Sequence, residues 1–301
     1  MEVAELQERF AVPGVLGFEK TPSGLVAARV TAPAAEATIY LRGAHLTHWK
    51  PAGHAPVIFL SARTELAPGK TIRGGIPVIF PWFGPRHDGL AGPSHGFART
   101  AEWELAFVAV SGDDVHVTFT LAPNETSRAL GFDHFRLAYS ITIGRSLALE
   151  LTVANDAPAP LQFEEALHTY FAVGNVEKTS ITGLGGTSYI DKRDQMQRKV
   201  QPTGSMSLTG TTDRVYLDTT AACIIDDAAG KRRITIEKAG SQTTVVWNPW
   251  AELAATLPDM EPDGWRTMLC VETANAGDSA ITLASGQTHT MRATISVEAV
   301  G

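Results

Sequence analysis

The chain has 301 residues, 44% of them hydrophobic, which is typical of a globular protein with a large core and excludes intrinsic disorder. Its 32 acidic and 25 basic residues give a net charge of −7 without a basic cluster, which excludes a surface built to bind nucleic acid or an anionic membrane. No stretch approaches the roughly 18 consecutive apolar residues of a membrane-spanning helix. We therefore expect any anionic ligand to be held by a few individually placed cations.

Two features predict a reducing, cytoplasmic environment. The first residues, MEVAELQERFAVPG, carry acidic side chains where a signal peptide would have a basic and then an apolar region. Cys223 and Cys270 allow at most one disulfide, and neither has a second cysteine or a histidine at metal-ligand spacing. We expect a cytoplasmic protein that holds no metal.

The first segment with clustered histidines is HLTH at 45–48. In a strand, a spacing of three residues puts the two side chains on opposite faces, which disfavours a shared metal ion. We interpret His45 and His48 as surface or turn residues.

The segment from 68 to 99 is rich in glycine and proline and is incompatible with an ordinary central strand. It also carries several large apolar side chains, which are too many for a disordered loop. Its GKT at 69–71 does not make a P-loop, because Thr64 stands where that motif requires glycine. We expect an ordered loop that lines a functional site.

This segment ends in SHGFAR, residues 94–99. If these residues are extended, His95 and Arg99 share one face and lie about 13 Å apart, so they would meet two ends of one small ligand. Arg73 belongs to the same loop, and paired arginines are well suited to phosphate or carboxylate. The alternative is that Arg73 and Arg99 form structural salt bridges, for instance with Glu102 or Glu104.

Alternation of apolar and polar residues predicts that most of the chain is β-strand. Strands are expected at 115–122, 135–143, 146–153 and 291–299, and the short turn Gly144-Arg145 predicts an antiparallel hairpin. The main helical signal is WAELAATL at 250–257, which Pro258 ends. Many strands joined by short turns, without a βαβ rhythm, predict an all-β sandwich or barrel that forms a single domain.

Two titratable side chains lie among apolar residues on predicted strands. In FEEALHTYF (163–171), His168 shares a face with Ala166 and Tyr170, and in TMLCVET (267–273), Glu272 shares a face with Cys270. Either group alone has a structural explanation, as a histidine bonded to a backbone carbonyl or as a paired carboxylate. Their joint presence in one β-domain favours an acid/base pair.

Six motifs occur in order along the chain: IRGGIPVIFPWFG, SHGFAR, EALHTYF, YIDK, VVWNPW and MLCVET. Over about residues 15 to 300, they make the chain resemble the glucose-6-phosphate 1-epimerases, the hexose-6-phosphate mutarotase branch of the aldose 1-epimerase family. The resemblance implies a large antiparallel β-sandwich, the galactose mutarotase-like supersandwich, as one domain over 1–301. It also implies a cofactor-free isomerase that interconverts the α and β anomers of a hexose 6-phosphate, with a small phosphorylated sugar as its partner, and we expect a monomer.

The same resemblance assigns the chemistry to four residues. Glu272 would be the general base at the anomeric hydroxyl, and His168 would be the general acid at the ring oxygen. Arg73, before the double glycine, and Arg99, at the end of SHGFAR, look like the clamp for the 6-phosphate.

Three further residues are implied to contact the sugar. His95 would bond to sugar hydroxyls or to the ring oxygen, and Asp191 in YIDK would bind a hydroxyl or orient a neighbour. Ser94 stands where relatives often have glutamine. Two other functions stay open: an epimerase for a neutral aldose such as galactose or glucose, with structural arginines, and a carbohydrate-binding module without turnover.

Overall fold

A computed structural model of the chain describes residues 2–300. The helices are α1 (Val3–Phe10), α2 (Glu125–Ala129) and α3 (Trp250–Ala254), with 3-10 turns at Ala98–Thr100, Val176–Lys178, Gly264–Thr267 and Gly277–Ser279. The strands in chain order are β1 (Leu16–Lys20), β2 (Val26–Thr31), β3 (Ala35–Tyr40), β4 (His45–Pro51), β5 (Val78–Ile79), β6 (Glu104–Ser111), β7 (Asp114–Leu121), β8 (Phe135–Ile143), β9 (Leu147–Asn155), β10 (Leu161–Phe163), β11 (Glu165–Leu167), β12 (Tyr170–Ala172), β13 (Thr179–Thr182), β14 (Ser188–Asp191), β15 (Gln197–Val200), β16 (Met206–Ser207), β17 (Thr212–Tyr216), β18 (Cys223–Asp227), β19 (Arg232–Ala239), β20 (Thr243–Asn248), β21 (Met268–Asn275), β22 (Ile281–Leu283) and β23 (Thr288–Ala299). None of the helices in this part of the chain has the length and the apolar run needed to cross a membrane.

The strands build four sheets, and the two largest dominate the molecule. An eight-stranded sheet has the order β15-β14-β17-β20-β21-β11-β5, with β12 also paired to β21, and a nine-stranded sheet has the order β16-β13-β18-β19-β23-β9-β8-β7-β6. A four-stranded sheet, β1-β2-β3-β4, and a two-stranded sheet, β10-β22, account for the other strands of residues 2–300. Every named strand pair in the two large sheets is antiparallel, which confirms the predicted all-β antiparallel class.

The core between the two large sheets follows from the period-2 pattern. On β8 the odd-numbered side chains from Phe135 to Ile143 are at most 1% exposed, whereas the side chains between them reach solvent. Val271 of the eight-stranded sheet and Leu149 of the nine-stranded sheet belong to the same cluster of buried side chains. Burying each such side chain contributes about 1.5–3 kcal/mol, so this shared core is what joins the sheets into a sandwich.

The predicted elements agree with these strands. The predicted strands at 115–122 and 291–299 correspond to β7, which ends one residue earlier, and to β23, and the hairpin around Gly144-Arg145 is confirmed, with Ile143 opposite Leu147. Helix α3 begins where WAELAATL predicted it, but it covers five residues. The segment from 68 to 99 is an ordered loop that contains only the two residues of β5 and the start of a 3-10 turn.

Candidate functional site

A cavity of about 390 Å³ lies against the eight-stranded sheet. Its floor is formed by side chains of β17, β20, β21 and the break between β11 and β12, and its rim comes from the loop between residues 68 and 99. Aromatic residues form much of its wall, namely Phe83, Tyr170 and Trp247. The volume suits a small polar molecule such as a monosaccharide.

His168 lies in a two-residue gap between β11 and β12. Its backbone N–H donates to the carbonyl of Pro77 at 3.0 Å, which ties it to the loop that carries β5. The imidazole stacks on the ring of Tyr170 with 4.8 Å between ring centroids, and both side chains line the cavity. Leu167 and Phe171 do not line the cavity and belong to the main core, to which Tyr170 also contributes, so the structure separates His168 from Leu167 and Phe171 as predicted.

Glu272 lies on β21 opposite Val245 of β20, and it is 1% exposed. Its Oε1 lies 3.4 Å from Nδ1 of His168. His168 as a residue is 8% exposed. Glu272 Oε2 and His168 Nδ1 are both buried without a hydrogen-bond partner. Leaving such atoms unpaired costs about 1–3 kcal/mol each, and this cost is typical of groups held ready for a ligand.

The surroundings push both members of this pair towards their neutral forms. Burial, together with the nearby Asp213 carboxylate, raises the pKa of Glu272 well above its ordinary range. Burial lowers the pKa of His168 well below its ordinary range, with further contributions from His95, Arg99 and Arg73. In the ligand-free cavity these shifts favour the protonated carboxyl of Glu272 and the neutral imidazole of His168.

Ser94, His95 and Arg99 of SHGFAR line the cavity, but the segment does not have the extended conformation considered above. His95 and Gly96 have positive φ angles of 64° and 68°, and a 3-10 turn follows from Ala98. The chain turns here because Phe97 packs edge-on against Phe80 in the core, with 5.9 Å between ring centroids, and its N–H bonds to the Phe80 carbonyl. A Cβ at Gly96 would lie 2.0 Å from that carbonyl oxygen, so only glycine fits. The expected strand spacing between His95 and Arg99 therefore does not apply.

His95 presents a defined tautomer to the cavity. Burial and the charge of Arg99 lower its pKa to about 3, so the ring is neutral at working pH. The backbone N–H of Gly84 donates to His95 Nδ1 at 3.2 Å, which makes Nδ1 the acceptor. The proton of the neutral ring therefore lies on Nε2, where it is available as a hydrogen-bond donor.

Arg73 and Arg99 both reach the cavity, but they differ in their partners. Arg73 Nε lies 3.1 Å from the Asp259 carboxylate, and its Nη1 donates to the Tyr170 hydroxyl at 3.3 Å. Arg99 donates to the carbonyl of Ser94 at 2.7 Å, and its Nε is buried with no partner. Within residues 2–300 neither arginine pairs with Glu102 or Glu104, so the structural alternative in that form is wrong.

Two glycines and one histidine position the loop that delivers Arg73. Gly75 has a φ of 72°, and a Cβ there would lie 2.4 Å from Nε2 of His45. That imidazole is 2% exposed and bonds to the Gly74 carbonyl at 2.9 Å. The interpretation of His45 as a surface or turn residue is therefore wrong, because its strand is covered by the 68–99 loop.

The structure does not bring Asp191 to the cavity. Its carboxylate accepts from Lys199 at 2.8 Å and from the backbone N–H of Arg193 at 3.1 Å, outside the lining residues. Direct contact between Asp191 and a sugar hydroxyl is thus not supported. Lys192 and Asp213, 3.5 Å apart, line the cavity instead.

Asp213 was missed, although the sequence carries a signal for it. In TDRVY, alternation puts Asp213 and the buried Val215 on one face of a strand, which is the pattern that identified Glu272. Ser94 does line the cavity, but its side chain is exposed and its carbonyl is what supports Arg99. The fold also brings Cys270 to the His168–Glu272 pair, so that three potential metal ligands lie together.

Comparison with known proteins identifies the family of this chain. The family model described as "Aldose 1-epimerase" matches residues 27–296. A protein of Escherichia coli (strain K12) named "Putative glucose-6-phosphate 1-epimerase" is 38% identical over 248 residues, which cover 82% of each chain. A protein of Cenchrus ciliaris with the same name is 32% identical over 280 residues, covering 89% of this chain and 83% of that one.

A solved structure has a similar fold. The crystal structure described as that of "a putative mutarotase (YeaD)" from Salmonella typhimurium superposes with a TM-score of 0.88 at 33% identity and covers 96% of each chain. The family model spans nearly the whole sandwich, including every residue that lines the cavity. The chain therefore belongs to the aldose 1-epimerase family.

Proposed function

We propose that this protein is an isomerase that interconverts the α and β anomers of a hexose 6-phosphate, with glucose 6-phosphate as its substrate. The observation that carries the proposal is the presence, in one cavity, of the buried His168–Glu272 pair and of Arg99, whose buried Nε has no hydrogen-bond partner and which forms no ion pair with an acidic side chain of residues 2–300. The pair supplies proton transfer and the cation supplies a place for phosphate. The names of the similar proteins support the same substrate.

The chemistry needs one proton acceptor and one proton donor. The Glu272 carboxylate takes the proton of the anomeric O1 hydroxyl while the His168 imidazolium gives a proton to the ring oxygen O5, so that the C1–O5 bond breaks and C1 becomes an aldehyde. Rotation about C1–C2 presents the other face of the aldehyde to the O5 hydroxyl. Ring closure then reverses both proton transfers, and the pair regains its starting state with no net change.

Substrate binding favours the proton arrangement that this step requires. In the ligand-free cavity the charges of Arg99 and Arg73 help to lower the pKa of His168. A phosphate dianion held between the two guanidinium groups offsets those charges, which raises the pKa of His168. The proton of the pair then moves from Glu272 to His168 across the 3.4 Å that separates them, giving the carboxylate and the imidazolium.

The remaining polar side chains of the cavity form hydrogen bonds with the sugar hydroxyls in this proposal. His95 donates from Nε2, because its Nδ1 accepts from Gly84. Asp213 accepts, and Lys192, which lies 5.4 Å from the ring centroid of Phe83, donates. Polar groups around a sugar ring with aromatic walls are typical of carbohydrate sites.

A neutral aldose is the second candidate substrate, and one observation favours it. Arg73 is already paired with Asp259 and Tyr170, as a purely structural arginine would be. Exchange rates for glucose 6-phosphate and for free glucose at equal concentration separate the two functions. A higher kcat/KM for the phosphorylated sugar supports the proposal, and equal values favour the neutral aldose.

We further propose that the protein works as a monomer in a reducing compartment, the cytoplasm. Cys223 and Cys270 are both buried and unpaired, which supports a thiol-reducing environment. Analytical ultracentrifugation with and without glucose 6-phosphate tests the oligomeric state.

A further inference from the structure

The acid/base pair has a third neighbour that the proposed reaction does not use. Cys270 lies two residues before Glu272 on β21, so both side chains project from the same face of the strand. It is 0% exposed and lies behind the residues that line the cavity. One ligand atom of each of His168, Cys270 and Glu272 lies within 4.8 Å of the others.

From this arrangement we infer that His168, Cys270 and Glu272 form an inhibitory binding site for a borderline-soft divalent cation, Zn²⁺ in particular. A nitrogen, a thiolate and a carboxylate oxygen are the ligands that zinc prefers. The metal is an inhibitor here and not a cofactor. The inference that the metal binds does not depend on the proposed substrate. The effect of the metal on turnover, in contrast, rests on the proposed epimerase function.

The geometry fits a tetrahedral ion with little rearrangement. Zinc bonds of about 2.0–2.1 Å to nitrogen and oxygen place those two atoms about 3.3 Å apart in a tetrahedron. His168 Nδ1 and Glu272 Oε1 are 3.4 Å apart. With Cys270 Sγ inside the same 4.8 Å group, shifts of about 1 Å complete three ligands and leave a fourth position for water.

The atoms that face this point are free to bind a metal. His168 Nδ1 and Glu272 Oε2 are buried and make no hydrogen bond, so a metal ion there displaces only the 3.4 Å contact between His168 Nδ1 and Glu272 Oε1. As the zinc–sulfur and zinc–oxygen bonds form, the S–H bond of Cys270 and the O–H bond of Glu272 break, and both protons pass to solvent. No oxidant or reductant is required.

Zinc would inhibit the reaction because it occupies the lone pairs that the proton transfers require. Zinc on His168 Nδ1 prevents the imidazolium from forming, so His168 no longer acts as the acid for O5, and zinc on the Glu272 carboxylate occupies the base that exchanges a proton with O1. Arg73 and Arg99 stay available to the phosphate, because neither is a ligand in the proposed site. We therefore expect zinc to lower kcat far more than it changes KM.

The test is a titration of the full-length, reduced protein with Co²⁺ and Zn²⁺ in phosphate-free buffer. We expect one Co²⁺ per chain with a thiolate-to-cobalt charge-transfer band that Zn²⁺ removes. Cys270→Ser should abolish this band and weaken Zn²⁺ binding at least about 100-fold, measured against a chromophoric chelator. Cys223→Ser, which changes the other buried free cysteine, should retain both.

Two further variants keep the test decisive if Cys270→Ser does not fold. His168→Asn and Glu272→Gln should each weaken Zn²⁺ binding at least about tenfold. Absence of the band in the folded wild type, or equal affinity in the ligand variants, overturns the inference. An active wild type that binds no metal contradicts this site alone, whereas a metal-binding protein without epimerase activity contradicts the proposed function alone.

Discussion

Arg73 and Arg99 line the same cavity, yet only Arg73 has a carboxylate partner, Asp259 at 3.1 Å. Arg99 keeps a buried Nε without any partner, and burial together with the charge of Arg73 lowers its pKa. An arginine at this site stays charged, so its guanidinium is available to bind an anion. We therefore propose that selection of a phosphorylated substrate depends chiefly on Arg99.

Arg99→Ala should therefore damage the use of phosphorylated sugars specifically. The loss of charge-assisted hydrogen bonds worth about 1.5–3 kcal/mol predicts a fall of about 10- to 150-fold in kcat/KM for glucose 6-phosphate, mostly through KM. The rate with free glucose should hardly change. Arg136→Ala, at an exposed arginine paired with Asp156, is the matched control and should behave as wild type. An equal loss with both sugars would show that Arg99 is structural.

Glu272→Gln tests the proton-transfer pair. The amide cannot take the O1 proton, so kcat should fall by about 10²- to 10⁴-fold with little change in KM. The measurement is the rate of anomer exchange above the spontaneous rate. Glu165→Gln is a control at another fully buried glutamate, which pairs with His289 and does not line the cavity. Comparable losses in both variants would contradict a chemical role for Glu272.

Gly75→Ala tests how the loop delivers Arg73. The new Cβ would meet His45 Nε2 at 2.4 Å and would require a positive φ of 72°, so both a clash and backbone strain result. We expect a loss of more than about 2 kcal/mol in the free energy of unfolding and weaker binding of glucose 6-phosphate. Gly69→Ala has the same kind of φ, 80°, but no atom within 4 Å, and should cost only about 1 kcal/mol. Similar urea midpoints for the two variants would refute the clash.

His45 predicts a definite pH dependence of stability. Burial lowers its pKa from 6.5 to about 4, so between these pH values the folded state binds fewer protons than the unfolded state. The stability that neutral His45 contributes is complete above pH 6.5 and falls as the pH drops towards 4, by about 3 kcal/mol.

Urea unfolding at several pH values measures this contribution. His45→Gln keeps a donor for the Gly74 carbonyl but does not titrate, so its stability should fall less steeply than that of wild type between pH 6.5 and 4. His134→Gln, at an exposed histidine, should follow the wild-type profile. Parallel curves for wild type and His45→Gln would exclude the assigned role.

The sequence predicts those features of the fold that depend on local periodicity. Alternation places His168 and Tyr170 on one face and Leu167 on the other, because the side-chain direction in a strand depends only on position. The same rule assigns Glu272 and Cys270 to one face of β21. These assignments hold even though His168 lies in a gap between two strands.

Features that depend on non-local contacts could not be predicted in this way. The strand expected at SHGFAR is replaced by a turn, because Gly96 packs against the carbonyl of Phe80 from a distant part of the loop. Asp213 contributes to the cavity because β17 lies beside β20, a pairing that no local pattern indicates. The sequence near Cys270 has no second cysteine or histidine at the spacing of a metal site, because the neighbouring histidine, His168, comes from a distant part of the chain.

The most direct test of the proposed function is magnetisation-exchange NMR on the anomers of glucose 6-phosphate, mannose 6-phosphate, glucose and galactose, compared side by side with and without enzyme. We predict exchange far above the spontaneous rate for glucose 6-phosphate, a much smaller effect for the two neutral sugars, and loss of the acceleration in Glu272→Gln. Exchange at the buffer rate for every hexose phosphate with folded wild-type protein would contradict the proposed function.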